Sequence, residues 1–215
     1  MDFSFTEEQE DLRREARRFL AATPSPSQDE LAELGWVGVV DSESFLEAAV
    51  IFEELGRVLY DGPYLENEAG GDREKLLAAY ALEAVGIGSR AVELAVAYVS
   101  EREQFGKKIG TYQAVSHPVV DAYVAVELGR SLAYWAAWCV AEGDGQAPLA
   151  CAAAKAQATE AAVRACETSI QVHGGIGFTW EHPLHRYYKR ALELEAALGH
   201  GREHRAEIAR SLLYS

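Results

Sequence analysis

Leu12, Ala16, Phe19 and Leu20 recur at the spacing that places them on one face of a helix. Thr6 and Gln9 stand ahead of them as a capping box. Two prolines in "ATPSPSQDE" end that helix, and Ser27 with Glu30 forms a second box that opens a short helix stopping at Gly35. "WVGVV" is a brief apolar link. Ser44 and Glu47 then start a third helix with Phe45, Ala49, Phe52 and Leu55 inward. From Tyr60 to Asp72 the run "YDGPYLENEAGGD" is rich in Gly, Pro, Asn and Asp and reads as a connection. It divides the chain into a helical region 1–60, a linker 61–72 and a larger unit 73–215.

Beyond the linker the apolar periodicity lengthens. One long helix is predicted from Arg73 to about Glu103, and "KKIGTYQ" turns the chain into a second from Gln113 to about Glu142. "EGDGQ" ends the second, and Pro148, pre-set for a first helical turn, opens a third reaching about Val172. A glycine stretch follows, then a helix from about Leu184 to Ala197, an "LGHG" turn and a last helix. Long helices on short loops favour an antiparallel bundle. No run of alternating strands with hairpin turns is visible, so the expected class is all-α.

Charge narrows the partners. Of the 215 residues 49% are hydrophobic and 25% charged, and the formal net charge is −14. That charge repels phosphate backbones, so sequence-independent nucleic-acid binding is not expected, and it argues against an anionic membrane surface. It leaves room for a nucleotide held by a few focused basic residues. Cys139, Cys151 and Cys166 form no CxxC pair and read as buried free thiols of a reducing compartment. The first twenty residues contain no signal-type apolar core, and no apolar run approaches the length of a membrane span. The expectation is a cytoplasmic chain. His200 and His204 stand at i,i+4, but neither HExxH nor a paired ExxH occurs, so no metal site is expected.

Two stretches carry candidate chemistry. "QVHGGIGFTWEHPLHRYYKR" places Gly174, Gly175 and Gly177 within four positions after a helix. The glycines serve either to turn a helix C-terminus sharply or to admit something bulky close to the backbone. No strand precedes them, so a Rossmann reading fails. "SEREQFGKKIGTYQAVSH" sets Arg102, Lys107 and Lys108 beside Phe105. Cations next to an aromatic face suit the pyrophosphate and adenine of a nucleotide. A solvated basic turn at a helix end accounts for them equally well.

Taken together, these stretches resemble the acyl-CoA dehydrogenase family. The pattern RxQFGxxIGxxQAVxH is matched from Arg102 to His117, and QxHGGxGFTxE from Gln171 to Glu181. "LAELGWVGV" and "EELGRVL" resemble the family's N-terminal helical domain. The resemblance implies a helical N-terminal domain, a β-barrel middle domain and a C-terminal four-helix bundle. It also implies FAD held between subunits of a dimer or tetramer and a CoA thioester as substrate. Carried over by position, Arg102, Gln104 and Phe105 hold the pyrophosphate and adenine of an FAD shared with a neighbouring subunit, and Gln113 faces the adenine. Gln171, Gly174 and Gly175 contact the other end of the dinucleotide.

The chain departs from the family in two places. Only Tyr60–Asp72 stands where the middle β-domain belongs, so this is a shortened form with a shortened N-terminal region. The family's reaction also needs a carboxylate poised over the substrate α-carbon. Gly199 falls at the usual position of that base and Leu76 at the alternative one. Glu83, two turns along the stripe Leu76–Tyr80–Glu83–Ile87, is the one carboxylate offered, and it reads otherwise as a helix-surface residue. Two functions follow from the resemblance: an FAD-dependent acyl-CoA dehydrogenase, or a non-catalytic subunit or scaffold of a larger assembly with a larger-subunit or electron-transfer partner. Tyr123, Tyr134, Trp135 and Trp138 offer more aromatic surface than one bundle core needs, which predicts a homodimer or tetramer.

Overall fold

The computed structural model describes residues 5–38 and 45–213. Helix α1 spans Glu7–Ala22 behind the expected capping box: Gln9 N donates to Thr6 Oγ1 at 3.2 Å and Thr6 N to Gln9 Oε1 at 3.1 Å. Helix α2 (Gln28–Glu33) carries the Ser27–Glu30 box. Helix α3 spans Phe45–Val58; the expected cap at Ser44 lies outside the described residues. The connection holds a short helix α4 (Tyr64–Ala69), where buried Tyr64 donates through Oη to Trp36 O at 2.6 Å. Three long helices follow as the periodicity predicts: α5 (Arg73–Glu101), α6 (Gln113–Ala141) and α7 (Ala147–His173). Helices α8 (Leu184–Ala196) and α9 (Gly201–Leu213) complete the described chain.

Small side chains set the bundle's spacing. Helix α7 buries Ala150, Ala154, Ala158, Ala161, Ala162 and Ala165, so α5 and α6 approach it closely without leaving voids. Helix α3 lies on α5 at nearly backbone-to-backbone distance. A Cβ built on Gly86 stands 2.9 Å from Arg57 N and closer still to Glu53 O, while one built on Gly56 meets the Glu83 carbonyl in the same way. The seam therefore requires two residues that have no side chain.

A buried polar network fastens the first helices to the bundle. Glu53, 2% exposed on α3, accepts from Arg130 Nε at 3.1 Å and from Tyr134 Oη at 2.8 Å, both on α6. Arg13 of α1 donates to Tyr134 Oη at 3.2 Å, and Arg130 Nη2 reaches Ser89 of α5 at 2.7 Å. Burial and the Glu53 carboxylate push the Tyr134 hydroxyl pKa well up. This corrects the reading of Tyr134 as surface for a neighbouring subunit: its own chain covers it. Trp135 and Trp138 pack against the core half-buried, and Tyr123 is exposed.

Among the described residues the all-α class holds except for one minimal hairpin. Glu103–Gln104 (β1) pairs antiparallel with Lys107–Lys108 (β2) around Phe105 and Gly106, whose φ values are 53° and 78°. Two successive positive φ values make the tight two-residue turn that matches strand twist. Strands of two residues are too short to produce an alternating pattern. The three cysteines are buried and free, and burial pushes the Cys151 and Cys166 thiols up to about 12.

Lys155, which no local pattern in the sequence marks, is fully buried on α7. Its ammonium donates to Gly199 O at 3.2 Å and Glu195 O at 3.4 Å, pinning the α8–α9 turn, and burial lowers its pKa to about 8. The unfolded chain therefore holds more protons than the native one between pH 8 and the ordinary lysine value of 10.5. Stability relative to a Lys155→Met variant should be lowest below pH 8 and rise by about 3 kcal/mol as pH approaches 10.5. Urea unfolding of both proteins from pH 7 to 10.5 measures this, and a pH-independent difference contradicts it.

Candidate functional site

Helices α5 and α7 both run antiparallel to α6, so their C-terminal ends lie together. Tyr98 near the end of α5 stacks on His173 at the end of α7, with ring centroids 4.3 Å apart. The two sequence motifs follow directly from these helix ends. The structure thus brings Arg102, Gln104, Phe105 and Gln113 to the same end of the bundle as Gln171, Gly174 and Gly175.

Arg102 is the residue after α5, with its N–H bonded to Tyr98 O at 2.9 Å and its side chain exposed. The hairpin presents Phe105 at 94% exposure. Gln104 is exposed and donates through Nε2 to Glu103 O at 2.7 Å. Tyr112 Oη ties the hairpin to α6 by donating to Gln104 O at 3.1 Å, and the Lys107 ammonium lies 4.3 Å from the centre of the Tyr112 ring. Gln113, exposed, is the first residue of α6.

On the α7 side, Gln171 lines a groove of about 430 Å³ with Ala114, Val115 and Pro118 of α6 and Glu167 of α7. Gly174 caps α7 at φ 63° and ψ −137°, its N–H bonded to Ile170 O and Gln171 O. A Cβ on Gly174 or Gly175 would meet nothing within 4 Å. These glycines turn the helix end and leave bare backbone facing open space. An exposed guanidinium, an exposed phenyl ring, exposed amides and open glycine backbone fit one side of a dinucleotide. They form a surface at the bundle's end rather than an enclosed cavity.

The sequence did not show the ring column behind this surface. His173 is buried with Nδ1 2.7 Å from Ser169 O, and His182 packs on it at 4.5 Å. Desolvation together with His173 and His185 lowers the His182 pKa. His200 lies just before α9, its Nδ1 2.9 Å from Glu195 Oε2, while His204 is buried beside Lys155. Among the described residues no three His, Cys, Asp or Glu side chains converge to hold a metal ion.

Glu83 lies elsewhere. It precedes the end of α5 by 18 residues, or about 27 Å of helix at 1.5 Å per residue. The surface reading of Glu83 is corrected: it is 2% exposed, and Arg190 of α8 grips both oxygens, Nε to Oε1 at 2.6 Å and Nη2 to Oε2 at 2.9 Å. Burial raises its pKa, and the Arg190 hydrogen bonds and charge oppose that shift. The pairing was invisible in sequence because its partner is 107 residues away. Leu76 is half-buried on α5, and Gly199 sits in the α8–α9 turn at φ 105°.

The architecture is a helical bundle extended by short N-terminal helices, and among the described residues its only strands are those of the hairpin. Residues 78–213 match the family model described as Acyl-CoA dehydrogenase, C-terminal domain. The chain belongs to the acyl-CoA dehydrogenase family. It is similar to acyl-CoA dehydrogenase FadE34 of Mycobacterium tuberculosis, 41% identical over 145 residues that cover 66% of this chain and 20% of the relative. It is also similar to IpdE2 of the same organism, 40% identical over 117 residues, covering 54% and 34%. The chain thus spans between a fifth and about a third of the length of these relatives. Among solved structures, the Tcur3481-Tcur3483 steroid ACAD G363A variant superposes with a TM-score of 0.59 at 30% identity, over 73% of this chain and 39% of that one. A chain of the ChsE4-ChsE5 complex from Mycobacterium tuberculosis superposes along its whole length and that of this chain with a TM-score of 0.86 at 20% identity, which speaks for the fold. No helix among the described residues is long and apolar enough to cross a membrane.

Proposed function

We propose that this chain is the helical subunit of an acyl-CoA dehydrogenase-type flavoprotein: it contributes half of an FAD site and carries no working catalytic base of its own. The observation that carries this reading is the contrast between the two regions. Arg102, Gln104, Phe105, Gln113, Gln171, Gly174 and Gly175 stand exposed at one bundle end, whereas Glu83 is buried and clamped by a guanidinium. On this reading residues 1–60 and 73–215 correspond to the family's N-terminal helical domain and C-terminal bundle, with 61–72 in the place of the middle domain.

Arg102 and Phe105 hold the pyrophosphate and adenine, with Gln104 and Gln113 beside them. Gln171, Gly174 and Gly175 take the other end of a dinucleotide shared with a neighbouring subunit. When bound, FAD supplies the ring that accepts hydride from a CoA thioester. A partner chain then provides the base and the cover over the flavin. The paired name of the Tcur3481-Tcur3483 steroid ACAD, a 30%-identical neighbour, supports a two-component assembly.

The test is FAD affinity. Arg102→Ala removes a charge-assisted contact and should weaken binding by about 1.5–3 kcal/mol, roughly 10- to 150-fold. Quenching of FAD fluorescence during titration reads it. Equal affinity in the variant removes Arg102 from the site.

A further inference from the structure

Helix α9 sinks very little of itself into the bundle. Its buried residues are Gly201 and His204, so one imidazole is its only buried side chain. Glu207, Ile208 and Ala209 are half-buried and the rest is exposed. Ion pairs help at the surface: Arg205 to Glu160 of α7 at 2.5 Å, and Arg73 of α5 to Glu207 at 2.9 Å. Exposed pairs of this kind contribute little each, and a 13-residue helix is marginal alone in water.

His204 is an unusual anchor. It is 1% exposed, and neither ring nitrogen has a hydrogen-bond partner among the described residues. Glu207 Oε2 stands 3.5 Å from Nδ1, outside hydrogen-bond geometry. The charged groups that act on the ring are Lys155 from α7, Arg73 from α5 and Glu207 from α9 itself. Arg73 and Glu207 pair with each other, so the buried Lys155 ammonium, bonded to carbonyls alone, is the net charge the ring meets. The nearby carboxylates are engaged elsewhere: Glu203 accepts from His200 N at 3.1 Å, and Glu195 of α8 meets His200 Nδ1 at 2.9 Å. A neutral imidazole is tolerated in this place. An imidazolium would be a desolvated charge against a like charge.

We propose that α9 is an acid-released latch: protonation of His204 detaches it from the bundle and frees the Gly199 turn at its head. The proposal does not depend on the flavin reading. Burial, followed by the Lys155 charge, lowers the His204 pKa. Below pH 6.5, the ordinary histidine value, the attached helix therefore binds fewer protons than the released one. Attachment is complete above that pH and weakens as pH falls, by up to about tenfold per unit. Release also hydrates the Lys155 ammonium, because its acceptor Gly199 O moves with the turn. Charging His200 acts in the opposite sense, since it strengthens the contact with Glu195, so release rests on His204.

Amide hydrogen exchange of the full chain tests the latch. Corrected for the intrinsic effect of pH, α9 should exchange about 10- to 30-fold faster at about pH 5 than at about pH 7.5, while the middle of α6 keeps its protection. In His204→Gln, whose side chain cannot charge, the same ratio should stay below about twofold. The His204 ring resonance of the wild type should titrate below 6.5, in step with the α9 amides, and that measurement decides if the variant does not fold. Equal α9 protection at the two pH values, an equal loss of protection in α6, acid acceleration surviving in His204→Gln, or a His204 ring that titrates at 6.5 or above overturns the proposal.

Discussion

Gly86→Ala is expected to destabilise the fold by about 3 kcal/mol, the upper part of the usual range for overpacking a tight interface. The new Cβ would lie 2.9 Å from Arg57 N and closer to Glu53 O. Both are backbone atoms inside a helix, so no side chain can swing aside. The intrinsic preference of a helix for Ala over Gly, about 1 kcal/mol, does not offset that clash. Helix α3 has to move off α5, and Glu53 moves with it, loosening its bonds to Arg130 and Tyr134. Thermal unfolding followed by circular dichroism should show a midpoint lowered by about 6–12 °C for a chain of this size. Gly145→Ala, where nothing lies within 4 Å of the added Cβ, is the matched control and should unfold near the wild-type temperature. If both variants melt together, the α3–α5 seam is wider than the structure has it.

What the sequence showed and what it hid divide along range. Helix ends written in local chemistry were legible: the Thr6 and Ser27 boxes, the Asp–Gly breaks and the three long apolar periodicities all reappear in the structure. The two motifs were also legible, because each lies within twenty residues. Their convergence on one bundle end was not written in either motif, and follows from the parallel course of α5 and α7. Pairings across the fold were hidden. Glu83 looked like a surface carboxylate because Arg190 is far away in sequence, and Tyr134 looked like interface surface because Glu53 and Arg13 reach it from other helices. Lys155 fell in an alanine-rich run with nothing to mark it as buried, and only the carbonyls of the α8–α9 turn explain it. The Gly56–Gly86 seam escaped for the same reason: each glycine alone reads as a tolerated defect in a helix.

The second large effect expected is the lack of turnover by this chain alone. Taking an α-proton from a thioester requires a base within about 3 Å of it, and general-base catalysis typically contributes 10²–10⁴-fold. Glu83 has both oxygens occupied by Arg190 beneath the surface, Leu76 has no titratable group, and Gly199 has no side chain. Restoring a carboxylate at Gly199 meets resistance of its own. The position has φ 105°, and an added Cβ stands 2.9 Å from Glu203 Oε2, so Gly199→Glu is expected to strain the turn and recover no activity.

The direct measurement is anaerobic flavin bleaching. Butyryl-, octanoyl- or a branched acyl-CoA is mixed with the FAD-loaded protein, and the visible flavin band is followed in wild type and in Glu83→Gln. The band is expected to persist in both, with no reduction at rates typical of the family. Rapid bleaching by the wild type would contradict it, and loss of that bleaching in Glu83→Gln would identify Glu83 as the base that the account says this chain lacks.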